Sequence, residues 1–190
     1  MDGINYVFNI KYELTMKKKT ALILVIISIF SLLSYLSYSI ITKTKQKSEI
    51  AKKLQTIPDF ELKTLDNVSF SNANLKQNTF TIFIYFNSEC DFCQHEAENI
   101  SQNLNKFKTV QFVFVSTEDI EIIKQFSKKY SLNNKSNITF LYDSNFLFTS
   151  QFNANSIPYI LIYDKKNNLI KKHKGQLNTN GILRALNQND

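Results

Sequence analysis

Tryptophan is absent from this 190-residue chain, and only 2 Pro, 3 Gly, 2 Cys and 2 His occur in it. So little glycine and proline excludes collagen-like, linker-like and low-complexity chains, which are built from those residues. Two cysteines cannot make the multi-disulfide framework of a small secreted scaffold. Arginine is nearly missing too, Arg184 being the only one. That bias toward lysine, with frequent asparagine, is a habit of composition and carries no functional meaning. With Trp missing, the core must be built largely from the 16 Phe together with Ile and Leu.

A surplus of one charge is present, +7 overall, but it is unevenly spread. The balance is +2 up to Thr42, +4 from Lys43 to Pro58, and +1 from Asp59 onward. The basicity flanks an apolar run, and the remainder is nearly neutral. A nucleic-acid footprint on the globular part is therefore not expected.

The apolar run is Ala21 to Ile41, ALILVIISIFSLLSYLSYSII, without a charged residue. As a helix it is roughly 30 Å long, the thickness of a bilayer core. Lys17-Lys18-Lys19 precede it, like the basic start of a signal sequence. The pattern predicts a basic N-terminal tail over 1–19, a transmembrane signal-anchor over 20–42 that meets inner-membrane lipid, and a polar tether over 43–58 closed by Pro58. A start at Met16 would make residues 1–15 dispensable. A cleaved signal peptide is the competing reading, since Ser37-Tyr38-Ser39 supplies small residues at a suitable spacing, and a buried helix of a soluble protein is a third. Lysines on both sides give the positive-inside rule little leverage. The short tail and basic cluster favour the N-terminus inside and the domain from 59 to 190 outside the cell membrane.

In that domain, strand and helix alternate. Asp59–Leu62 reads as a short edge strand, and Thr79–Phe86 and Val110–Val115 as strands buried on both faces. Cys93–Phe107 and Ile120–Tyr130 carry apolar residues at helical spacing. Ile138–Tyr142 reads as a strand and Asn145–Phe152 as a short helix. Pro158–Tyr163, a turn at 165–168 and Leu169–Lys172 form a hairpin, and Thr179–Leu186 closes as a helix. The order predicts a three-layer α/β fold with a mixed central sheet.

Both cysteines stand together as Cys90-Asp91-Phe92-Cys93, after a buried strand and at the opening of a helix. A cysteine at a helix N-terminus meets unpaired N–H groups and the positive end of the dipole, both of which favour the attacking thiolate. A second cysteine one turn later can resolve a mixed disulfide. Cys90 thus reads as nucleophile and Cys93 as resolving thiol. Zinc normally takes four ligands, and only His95 and His173 could join the cysteines. A structural disulfide closing so short a loop stabilises little. No cofactor or metal is expected.

The run Phe83-Ile84-Tyr85-Phe86-Asn87-Ser88-Glu89-Cys90-Asp91-Phe92-Cys93 resembles the active-site entry of the thioredoxin-like superfamily. It is most similar to the membrane-anchored, redoxin or AhpC/TSA-related branch that holds extracytoplasmic reductases of cytochrome c maturation. Pro58-Asp59-Phe60 resembles the opening of that domain. Ser156-Ile157-Pro158-Tyr159-Ile160-Leu161-Ile162-Tyr163-Asp164 resembles its cis-proline loop and following strand, and His173-Lys174-Gly175 its C-terminal end. The resemblance implies a thioredoxin-like fold over 59–190, with Ile157 and Pro158 binding substrate beside the cysteines. It implies Glu96 as a catalytic carboxylate that exchanges a proton with Cys93; a solvated helix glutamate is the alternative. His95 and His173 read as surface residues. The implied activity is reduction of disulfides in exported proteins, with electrons resupplied by a membrane donor.

The chain departs from the family in four places. Glu89 stands where an aromatic usually precedes the first cysteine, and no proline lies between the cysteines. Ile84 stands near the place of a buried acid, and Tyr159 follows the proline in place of a small residue or Thr. Glu89, Asp91 and Glu96 put negative charge around the dithiol, which opposes the helix N-terminus and predicts a reductant. Two other functions compete. A peroxiredoxin-type peroxidase has Thr where this chain has Asn87, and a non-catalytic module would hold a client or copper.

Overall fold

The computed structural model describes residue 28 and residues 30–188. The chain divides into two units, Met1–Glu49 and Ile50–Asp190. In the first, residues 30–49 are helical (α1), and Phe30, Leu33, Tyr35 and Ile40 are largely exposed. Among the described residues no helix is long and apolar enough to cross a membrane. The expected basic tail over 1–19 lies outside the described residues, as does the first part of the expected span over 20–42.

The second unit is a seven-stranded mixed sheet between two layers. Its elements are β1 (Glu61–Thr64), β2 (Ser69–Ser71), β3 (Phe80–Tyr85), α2 (Asp91–Gln102), β4 (Val110–Ser116), α3 (Ile120–Lys129), β5 (Ile138–Tyr142), α4 (Leu147–Phe152), β6 (Tyr159–Tyr163), β7 (Leu169–Lys174) and α5 (Thr179–Asn187). The strand order is β2-β1-β5-β4-β3-β6-β7. β3, β4 and β5 run parallel, while β6 pairs antiparallel with β3 and β7 with β6.

The central strands are apolar throughout because both faces are covered. Successive side chains alternate between the faces. Ile82 and Ile84 point into a core with Phe112, Phe114, Ile100 of α2, Phe126 of α3 and Ile182 of α5. Phe83 and Tyr85 point the other way, toward Val113, Phe148 and Phe152 of α4, and Leu54 and Ile57 ahead of β1. Burial of each such side chain is worth about 1.5–3 kcal/mol. On the second face, Phe83 touches Phe60, Phe148, Phe152 and Tyr163 with ring centres 5.2–6.0 Å apart.

Two elements differ from the sequence expectation. The strand expected at Asp59–Leu62 lies two residues later and is internal. The edge is taken by the three-residue β2, which pairs with β1 from Glu61↔Ser71 to Lys63↔Ser69. β2 is only Ser69-Phe70-Ser71, too short for its alternation to mark a strand in the sequence, so its pairing with β1 defines it. The helix expected over Cys93–Phe107 spans Asp91–Gln102, followed by a tight 3-10 turn over Leu104–Lys106. The Asn103 side chain donates to the Asn99 carbonyl at 2.9 Å, ending the regular helix while Phe107 stays buried.

Candidate active site

Cys90 is the N-cap of α2, in extended backbone conformation, with Asp91 in the first turn. β3 delivers it through Asn87-Ser88-Glu89, and this loop is pinned from several sides. The Glu89 and Cys90 N–H groups donate to the Asn87 side chain and carbonyl, at 2.9 and 3.3 Å. Gln94 donates back to the Ser88 carbonyl at 2.8 Å. Glu118, on the loop after β4, accepts from the Ser88 N–H at 2.7 Å and from its hydroxyl at 2.6 Å. The Ser116 hydroxyl donates to the same carboxylate at 3.1 Å. Charge-assisted bonds of this kind are about twice as strong as neutral ones. Glu118 escaped sequence reasoning because it lies 30 residues from Ser88 and no local pattern marks it.

Both cysteines are free thiols, Cys90 half-exposed and Cys93 buried. The Cys93 N–H donates to the Cys90 carbonyl at 2.9 Å, which closes the first turn. The Cys90 sulfur lies 3.9 Å from the Ile157 carbonyl oxygen. The Ile157–Pro158 peptide bond is cis, Pro158 is buried, and Ile157 is 42% exposed. The Pro158 carbonyl accepts from the Gly175 N–H at 2.8 Å, which fixes this loop to the end of β7. Gly175 has φ +90, a conformation that side-chain-bearing residues rarely adopt.

Glu96 is 1% exposed and faces the core with Cys93. One of its oxygens accepts from the Leu177 N–H at 2.6 Å, and the other, Oε1, has no hydrogen-bond partner. Burial pushes the Glu96 carboxyl up to about 7, against the pull of the Leu177 hydrogen bond. Burial also pushes the Cys93 thiol well up; an Asn87 backbone hydrogen bond opposes this, while Cys90 and the Glu96 charge add to it. Asn99, one turn beyond Glu96, accepts from the Thr179 N–H at 2.9 Å and from its hydroxyl. The start of α5 is thereby docked on α2.

The residues singled out in the sequence thus meet from two distant segments. Cys90, Cys93 and Glu96 lie on α2, with Ile157 and Pro158 facing them from the loop before β6. Ile84 is a buried apolar residue, so the buried carboxylate near the thiols comes from the helix and not from the strand. Tyr159 is buried, donates to the Phe152 carbonyl at 3.1 Å, and is pushed up to about 12 by burial. His95 is exposed, and His173 is half-buried with Nε2 3.0 Å from the Gln176 carbonyl. Among the described residues no three His, Cys, Asp or Glu side chains are grouped to hold a metal ion.

The fold is similar to that of a secreted Mycobacterium tuberculosis disulfide oxidoreductase homologous to E. coli DsbE, with 23% identity over 72% of this chain and 98% of that one and a TM-score of 0.58. It is similar to a putative thioredoxin from Neisseria meningitidis, at 25% identity over 70% and 89% of the two chains and a TM-score of 0.60. StoA from Bacillus subtilis matches at 18% identity over 69% and 98%, with a TM-score of 0.55. No curated protein sequence matches the chain significantly. The family match covers residues 54–182, from the first buried leucine of the globular unit into its last helix. With its thioredoxin-like mixed sheet, the chain belongs to the AhpC/TSA family.

Proposed function

We propose that this protein is a membrane-anchored thiol–disulfide oxidoreductase that reduces disulfides of exported proteins. The observation that carries the reading is the pairing of a half-exposed Cys90 at a helix start with a buried Cys93, under the Ile157 carbonyl. Cys90, as thiolate, attacks a client disulfide. One client sulfur leaves as a thiol and the other forms a mixed disulfide with Cys90. Cys93 then loses its proton and attacks the Cys90 sulfur. The client leaves with two thiols, and Cys90 and Cys93 are left as a disulfide. Glu96 takes the Cys93 proton, a role supported by its carboxyl being pushed up to about 7 and by its unpartnered Oε1. Ile157 and Pro158 form the rim on which the client segment lies. A membrane electron donor returns the two electrons.

The anchor over 20–42 and an extracytoplasmic domain are supported by the uncharged run Ala21–Ile41 and the lysines before it. Of the tether expected over 43–58, Leu54 and Ile57 are already buried in the globular unit, so only the residues before them can serve as one. The reducing direction is supported by Glu89 and Asp91, exposed on either side of Cys90. Titration of the full chain against thiol buffers, with alkylated thiols counted by mass, tests the reading. A potential near or below about −250 mV marks a reductant, and one near −120 mV an oxidant. A pair that exchanges with no buffer removes the redox function altogether.

Membership of the AhpC/TSA family supports a second reading, a thiol peroxidase using Cys90. Rapid consumption of hydrogen peroxide by the chain, faster than reduction of a protein disulfide, would replace the first reading with this one.

A further inference from the structure

We propose that the end of the globular unit opposite Cys90 is a docking surface for an anionic lipid bilayer. Docked in this way, the unit turns its dithiol away from the membrane. The proposal rests on the anchored reading above, but the surface itself belongs wholly to the second unit.

Because β3, β4 and β5 are parallel, their preceding loops gather at one end of the sheet and their following loops at the other. The two ends carry opposite charge. Residues 87–90, 117–119, 143–146, 153–158 and 175–178, at the Cys90 end, include Glu89, Glu118 and Asp119, a buried Asp143 that accepts from the Leu147 and Phe148 N–H groups, and neither Lys nor Arg. The closest cation in sequence is Lys174, the last residue of β7. At the opposite end, six exposed lysines stand on four connections: Lys76, Lys106, Lys108, Lys135, Lys165 and Lys166. Asp66 and Asp164 are the acids there. Asp164 is engaged within its own turn, accepting from the Lys166 N–H at 2.8 Å and the Asn168 N–H at 2.7 Å.

These connections form one face. The Lys165 ammonium lies 5.0 Å from the centre of the Phe80 ring, at the start of β3. The Phe80 N–H donates to the Thr109 carbonyl at 3.1 Å, next to Lys108. The Lys76 ammonium donates to the Ser136 carbonyl at 2.5 Å, next to Lys135. The near-neutral domain is thus divided along the strand axis, with acids over the thiols and lysines at the far end.

The course of the chain identifies the occupant. Thr56 bridges to Asn168, the Leu169 N–H donates to the Gln55 carbonyl at 2.9 Å, and the Ile57 N–H to the Asn167 carbonyl at 3.3 Å. Residues 55–57, which follow the apolar stretch Ala21–Ile41 in sequence, therefore lie at the lysine end of the unit, beside Lys165 and Lys166. A bilayer carrying anionic headgroups attracts clustered lysines, each strengthening association about five-fold within a Debye length. The acids at the Cys90 end are repelled by the same surface.

The test is lysine acylation read by mass spectrometry on the full chain, comparing neutral phosphatidylcholine vesicles with vesicles containing about one-third phosphatidylglycerol. We expect Lys76, Lys106, Lys108, Lys135, Lys165 and Lys166 to react at least about three-fold more slowly on the anionic vesicles, with the protection lost in about 0.5 M salt. In the quadruple variant Lys106→Gln, Lys108→Gln, Lys165→Gln, Lys166→Gln, the remaining Lys76 and Lys135 lose protection while disulfide reduction in solution is unchanged. Equal reactivity on both vesicles overturns the proposal, as does protection confined to Lys174. Protection by an added DNA duplex but not by anionic vesicles overturns it in favour of nucleic acid. Flotation of the chain with neutral vesicles in high salt reports the anchor alone, so failure of the anchor is told apart from failure of the docking face.

Discussion

The Cys90 sulfur sits 3.9 Å from the Ile157 carbonyl oxygen, although 67 residues separate them in the chain. At that distance the thiol makes only a weak hydrogen bond. The carbonyl is open to a better donor, such as the N–H of a client strand lying across the thiol.

The two cysteines differ in exposure, so their replacements must differ in outcome. Cys90→Ser removes the accessible sulfur and lowers disulfide reduction at least ~1000-fold, a loss of about 4 kcal/mol of transition-state stabilisation. Cys93→Ser leaves the attack intact and removes resolution, so a mixed disulfide between Cys90 and the client accumulates. Mass spectrometry of the trapped adduct reads this directly. An adduct on Cys93 in the Cys90→Ser variant would reverse the assigned roles.

Glu96 ties stability to pH. Its carboxyl titrates at about 7 in the folded chain against an ordinary 4.5. Between these values the folded state keeps a proton that the unfolded chain releases. The corresponding stability is therefore complete below about pH 4.5 and is lost as pH rises through 7, by on the order of 3 kcal/mol. Glu96→Gln removes that dependence while keeping an oxygen for the Leu177 N–H. Urea denaturation of both chains at pH 5 and pH 8 should show the variant gaining relative to wild type as pH rises. Parallel pH profiles would place Glu96 in solvent. The same variant should flatten the rise in disulfide reduction through pH 7.

The Glu118 carboxylate accepts both the N–H and the hydroxyl of Ser88, and so holds the loop that carries Cys90. Glu118→Ala leaves these donors without a partner and costs about 1–3 kcal/mol. The amides of residues 87–90 should exchange with solvent faster, by about ten-fold or more, while those of β3 keep their protection. Unchanged exchange in the loop would mean that water replaces the carboxylate without loss.

Phe83→Ala probes the aromatic face of the sheet. Phe83 is fully buried and packs on four other rings. The cavity left behind should destabilise the unit by about 3–5 kcal/mol, seen as a lower denaturation midpoint at unchanged slope. A loss under ~1 kcal/mol would show that α4 collapses onto the vacant site.

What the sequence determined by itself is local. Thr79–Phe86 and Val110–Val115 are too apolar and β-branched to be anything but buried strands, and they appear as β3 and β4 within a residue or so at each end. The helical spacing of Ala97 and Ile100 announced α2, and the placement of Cys90 at its start followed from the adjoining strand. The α/β alternation and the hairpin of β6 and β7 were legible for the same reason: each element carries its own periodicity. Tertiary structure decided what depends on strand order. It moved β1 inside the sheet, with the three-residue β2 at the edge, because pairing alone recruits so short a strand. It buried Glu96 under Leu177, 81 residues away, and brought Glu118 onto Ser88. It also gathered lysines from four separate connections at one end of the sheet. No local pattern encodes such meetings, because they arise only when parallel strands collect their loops at common ends.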